Sequence, residues 1–170
     1  MMTKKTMVSS GSGRSPRPIY ENKETEGWEK RFKAEFEDSF PNLKLRKLPR
    51  SYNLDFAVWQ DKPEKVLALI EYKQRRYSCD EMGKMGGVKI SLNKIKHSLE
   101  YSDLFGVPVR LIYKLSDNQT KEYYRFDVTE ENVRQCRIGF INLVSRGDAE
   151  DVEPSLIIPM NMFQKKSLLG

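Results

Sequence analysis

The chain has 170 residues, 38% apolar and 32% charged, with a net charge of +6, two cysteines and one histidine. That length supports one domain with a substantial core, the composition excludes a disordered polyelectrolyte, and no apolar run reaches the ~18–20 residues of a membrane-crossing helix. One histidine and the widely spaced Cys79 and Cys136 exclude a zinc-ligand motif and fit a reducing, cytoplasmic setting.

Residues 1–20 carry +4 with no apolar stretch of signal-peptide length, and read as a flexible basic tail. In "TEGWEKRFKAEFEDSFP", Trp28, Phe32, Phe36 and Phe40 recur every fourth position, which predicts a helix with an aromatic stripe. Thr25 stands where it would cap the start, and Pro41 stops the helix. Glu29 falls inside the sector swept by the aromatics, a carboxylate bordering a core face.

"LKLRKL" (43–48) alternates as a first strand, and "NLDFAVW" (53–59) as a second, with Leu54, Phe56 and Val58 on one face and Asp55, Ala57 and Trp59 on the other. The turn-rich "QDKPEK" leads into "VLALIEYK", so the two runs form a hairpin. Side chains alternate along a strand, and Glu71 and Lys73 therefore project from one sheet face. "QRRYSCDEMGKMGGVKI" reads as a polar, glycine-containing loop or lid. Ser91 caps a helix over "LNKIKHSLEYSDLF", with Leu92, Ile95 and Leu99 on one face and Gly106 closing it. "VPVRLIYKL" and "KEYYRFDV" are strands around the turn "SDNQT"; "RIGFINLV" reads as a strand or short helix, and "PSLIIPMNMF" as an apolar patch between prolines.

Two carboxylates converging from adjacent strands supply hard oxygen ligands suited to Mg²⁺, with Mn²⁺ able to substitute. Asp55 and Glu71 would provide the side-chain oxygens, and Tyr72 a backbone carbonyl between Glu71 and Lys73. A lysine two residues beyond the glutamate sits beside such an ion, where its ammonium can orient the attacking water or stabilise charge on a phosphate. "ENK" at 21–23 has the same spacing but no strand before it; the context of "EYK" is what distinguishes it. Charge concentrates around it, residues 41–97 carrying +7. Arg75, Arg76, Lys84, Lys89 and Lys94 would grip a DNA backbone there.

The order of these elements resembles the PD-(D/E)xK nuclease superfamily, in particular small phage-type nucleases related to VRR-type and Holliday-junction-resolvase domains. The resemblance covers about residues 25–128 and implies a restriction-endonuclease-like α/β fold, αβββαβ, with a mixed central sheet flanked by helices. It implies Asp55 and Glu71 as metal ligands, Lys73 as the catalytic lysine, and Glu29 as the helix glutamate that helps hold the metal, with Glu26 the alternative one turn away. Ser91 and Lys94 match the helix after the motif strand, whose polar residues approach the site or the DNA. Leu54 stands where the name-giving proline would be.

The expected organisation is a basic tail (1–20), a nuclease-like domain (21–145) and a C-terminal extension (146–170). The expected activity is Mg²⁺-dependent hydrolysis of DNA phosphodiester bonds, structure-selective or partner-directed, in the cytoplasm of a host if the protein is phage-encoded. The alternative is a catalytically silent DNA-binding or protein-interaction module on the same fold. A homodimer would form through "RIGFINLV" or the C-terminal apolar patch.

Overall fold

The computed structural model describes residues 23–116, 122–142 and 152–167. The expected basic tail and the "DNQT" part of the turn lie outside them. The elements run α1 (Lys23–Ser39), β1 (Leu43–Lys47), β2 (Phe56–Asp61), β3 (Glu64–Gln74), α2 (Cys79–Lys84), β4 (Val88–Ser91), α3 (Leu92–Phe105) and β5 (Val109–Lys114). They continue with β6 (Glu122–Asp127), α4 (Glu130–Arg134), β7 (Arg137–Asn142), β8 (Val152–Ile158) and β9 (Gln164–Ser167).

Six strands form a central mixed sheet in the order β1-β2-β3-β5-β6-β9. All its pairs are antiparallel except β3 with β5. A parallel pair needs a crossover, and α2, β4 and α3 supply it. The order α1-β1-β2-β3-α3-β5 is the expected αβββαβ arrangement, with α2 and β4 set into the crossover.

The two faces of the sheet bury separate cores. On one, Phe32 and Phe36 of α1 pack against Leu45, Phe56, Val58, Ile70, Tyr72 and Ile112. Phe32 stacks on Tyr72 with ring centroids 4.3 Å apart and planes 6° apart; burying each such side chain contributes about 1.5–3 kcal/mol. The other core unites Ala57, Leu69, Leu111 and Phe126 with Ile95 of α3 and residues of a second sheet, β4-β8-β7.

Four local expectations are revised. Helix α1 starts at Lys23, so Thr25 lies within its first turn rather than at the cap. Leu54 packs with Ala57, not with Phe56 and Val58. The reason is an irregular start to β2: Asp55 N–H donates to Ile70 O at 2.9 Å while Phe56 is the residue registered opposite Ile70. Two residues thus address one, as in a bulge, and the alternation slips. The expected loop after β3 contains α2, fixed by a Ser78–Glu81 capping box and by buried Met82, and then β4. "RIGFIN" takes the strand form of its two open readings, whereas the C-terminal stretch, expected as an apolar patch, supplies β8 and β9, with Leu156, Ile158 and Phe163 in the core.

Gly87 makes β4 possible. Its φ is +109°, and a Cβ there would lie 2.2 Å from the Ile158 carbonyl oxygen. Only glycine lets the chain turn this close to β8.

Candidate active site

β2 ends its regular pairing at Phe56, and β3 runs on past it to Gln74. Tyr72 N–H would be left without a partner strand. The Asp55 side chain takes that role, its Oδ2 accepting from Tyr72 N at 2.8 Å. This bond draws the carboxylate into the plane of the sheet, beside the stretch of β3 that carries Glu71 and Lys73. The N–H and C=O of one residue leave a strand on the same side, so the Tyr72 carbonyl opens toward Asp55 as well.

Glu71 is wholly buried. Its Oε1 accepts from Lys73 Nζ at 2.7 Å and also from Lys94 Nζ, which reaches across from α3. Its Oε2 is buried with no hydrogen-bond partner among the described residues. A buried carboxylate oxygen left in this state is costly unless another group meets it. Burial opposes the charge on Lys73, but the nearby Glu71 and Asp55 carboxylates outweigh it and hold the ammonium protonated well beyond the usual lysine range. Tyr113, wholly buried beside this cluster, has its hydroxyl pushed up to about 12 by burial, against the opposing charges of Arg75 and Lys73.

A second approach comes from the α1 side. Glu29 Oε2 accepts from Lys47 Nζ at 2.5 Å, and the same ammonium lies 3.7 Å from Asp55 Oδ1. Glu29 is therefore brought to Asp55 through Lys47 rather than packed against it. Glu26 is exposed on the helix.

The oxygen-only donors fit a hard divalent cation. Glu71 Oε2, Asp55 and the Tyr72 carbonyl would hold it, and Glu29 would join only by exchanging Lys47. Among the described residues no group of three or more His, Cys, Asp or Glu side chains is placed to hold a metal ion.

The expected DNA-contacting residues divide. Lys94 lies in the site itself. Arg75 follows β3, its guanidinium donating to Gln74 O at 3.1 Å. Arg76 pairs with Glu24 on α1. Lys84 and Lys89 are exposed. Ser91 accepts from Asn93 N at the start of α3 and donates to Glu153, so its hydroxyl serves the cap. The Tyr72 side chain belongs to the core, and its hydroxyl donates to Gln74 at 3.1 Å.

Sequence reading missed Lys47. The available signal was its phase: Lys47 follows Leu43 and Leu45 on the face bound for the α1 core, where an aliphatic residue is expected.

Comparison with known proteins adds three findings. A family model described as "Phage putative PDDEXK endonuclease" matches residues 15–166. No curated protein matches. Among solved structures, the chain is similar to Hjc, a Holliday junction resolvase from the archaeal hyperthermophile Archaeoglobus fulgidus, at 12% identity and a TM-score of 0.49, over 82% of this chain and 96% of that one.

Proposed function

Because the chain belongs to the phage putative PDDEXK endonuclease family, we propose that it hydrolyses DNA phosphodiester bonds at the strand end formed by Asp55, Glu71 and Lys73, with Mg²⁺ as cofactor. The observation that carries this reading is the state of Glu71. One oxygen of a fully buried carboxylate is held by two lysines, while the other has no partner among the described residues, and the charges of Glu71 and Asp55 both act on Lys73.

Glu71, Asp55 and the Tyr72 carbonyl would hold the divalent cation, whose contribution would be Lewis-acid polarisation of the phosphodiester. The chain's own residues do the rest. Glu71 and Asp55 are pre-positioned, one by two ammonium groups and one by a backbone N–H, so little reorganisation accompanies substrate entry. Lys73 keeps its proton, which assigns it to charge stabilisation and to orienting the attacking water by donation, not to proton abstraction. Lys94, sharing Glu71 Oε1, holds the carboxylate from α3 and would add a second positive charge to the site. Arg75, Lys84 and Lys89 extend the basic surface along which a DNA backbone would lie.

The test is cleavage of linear, nicked, branched and single-stranded DNA by the purified chain with Mg²⁺ or Mn²⁺. Cutting that disappears in Asp55→Asn and Lys73→Ala, with the folded circular-dichroism spectrum retained, supports the reading. A wild-type chain inert on every substrate with both metals overturns it.

A further inference from the structure

The face of α3 that delivers Lys94 to Glu71 continues as a row of rings. Lys94, His97, Tyr101 and Phe105 are spaced three or four apart and so lie on one side of the helix. At 1.5 Å per residue the row extends about 16 Å from the carboxylate site. Tyr52, from the 3₁₀ turn Arg50–Tyr52 just before Asp55, joins it from the other side.

The rings are arranged alike. Tyr101 lies 6.0 Å from Tyr52, 6.5 Å from His97 and 6.0 Å from Phe105, centroid to centroid, with interplanar angles of 28°, 30° and 25°. These are near-parallel, offset arrangements. Tyr101 is partly buried against the core and anchors the row, whereas Tyr52 and Phe105 are 43% and 65% exposed. A packing cluster would cover its outer rings; this one presents them to solvent. Glu100, on the same helix, pairs with Lys96 at 3.6 Å and lies 3.2 Å from His97 Nδ1.

We propose that Tyr52, His97, Tyr101 and Phe105 form a stacking track for unpaired bases of the DNA substrate, leading away from the carboxylate site and selecting DNA that carries a single-stranded segment. The proposal rests on the nuclease reading above and names its substrate class. Continuity selects the occupant: Lys94 on the same helix face touches Glu71, and Tyr52 lies three residues before Asp55. A base presents a flat face to such rings whatever its identity, and each base–aromatic stack contributes about 1–3 kcal/mol.

The experiment compares binding, without divalent metal, to a splayed-arm DNA carrying 2-aminopurine in one arm and to a fully paired duplex of equal length. The proteins are wild type, Tyr52→Ala/Phe105→Ala, and the ring-keeping Tyr52→Phe/Phe105→Tyr. The expected result is 2-aminopurine quenching by wild type, and a splayed-to-paired affinity ratio that falls at least about fivefold in the alanine pair, the factor for losing one stack. The ring-keeping pair retains both. A ratio that stays within twofold in the alanine pair, while cleavage by wild type remains dependent on Asp55 and Lys73, overturns the track and leaves the nuclease reading standing. Loss of self-association in the alanine pair with an unmoved ratio likewise overturns it, assigning the rings to a protein contact. Absence of any metal-dependent cleavage by wild type defeats both readings together.

Discussion

Lys94 of α3 donates to Glu71 of β3, 23 residues earlier in the chain, and shares the same carboxylate oxygen with Lys73. Sequence reading gives Lys94 two destinations, the DNA backbone or the site; this contact places its ammonium on a buried carboxylate, which supports a positioning role. The two roles separate experimentally. Lys94→Met is expected to lower kcat by roughly 10²-fold while changing duplex affinity less than threefold. If Lys94 were chiefly a phosphate contact, affinity would fall and the slope of log K against log salt would shallow by about 0.9. Single-turnover rates and binding titrations over a salt series check this.

If a divalent cation meets Glu71 Oε2, which has no hydrogen-bond partner among the described residues, stability should depend on that cation. A ligand that binds only the folded state at 100 times its Kd contributes about 2.7 kcal/mol. For a domain of this size each kcal/mol raises Tm by about 2–4 °C. Saturating Mg²⁺ or Mn²⁺ is therefore expected to raise the wild-type Tm by several degrees. Asp55→Asn keeps an acceptor for Tyr72 N–H but lacks the charge, and is expected to lose the shift. Differential scanning fluorimetry with and without metal gives the answer; an equal shift in both proteins would place the ion elsewhere.

Glu37 ties helix α1 to the backbone of β1 at Leu45. Glu37 accepts from Leu45 N at 2.9 Å and from Lys33, whose ammonium also donates to Leu45 O at 2.6 Å. Burial works against the Glu37 charge, but the Lys33 and Leu45 hydrogen bonds with the Lys33 and Lys44 charges outweigh it and set its pKa below the ordinary glutamate value of 4.5. A folded pKa below the unfolded one gives stability that is complete above the unfolded value and is lost as pH falls through the folded one. Glu37→Gln should thus lower stability at pH 7 by about 1 kcal/mol. The gap between mutant and wild type should close below pH 4.5, as urea melts across pH 3–7 would show.

Gly87→Ala is expected to be among the most damaging single substitutions in the chain. The added Cβ would meet the Ile158 carbonyl at 2.2 Å and would hold alanine at φ +109°. Strained backbone costs about 1–3 kcal/mol by itself, and the clash forces β4 from β8 as well. A loss above about 3 kcal/mol, or failure to fold, is expected in equilibrium denaturation.

Much of the site was legible from local pattern. The apolar run ending in "EYK" fixed Glu71 and Lys73 on one face because strand side chains alternate, whatever the neighbours. The aromatic period of α1, the Ser91 cap and the Gly106 closure, at φ +62°, are likewise written within a few residues of where they act. Membership of the nuclease family was visible in the same short runs. Other features depended on distant chain. Asp55 sits in the plane of the sheet only because β2 stops where β3 continues, a matter of pairing register that no alternation pattern encodes. Lys47 and Lys94 reach the carboxylates from β1 and α3, and their roles follow from which ends of those elements the fold brings together. The physical division is one of range: backbone sterics and side-chain periodicity act over a few residues, whereas a charge placed beside a buried carboxylate is decided by packing across the whole domain.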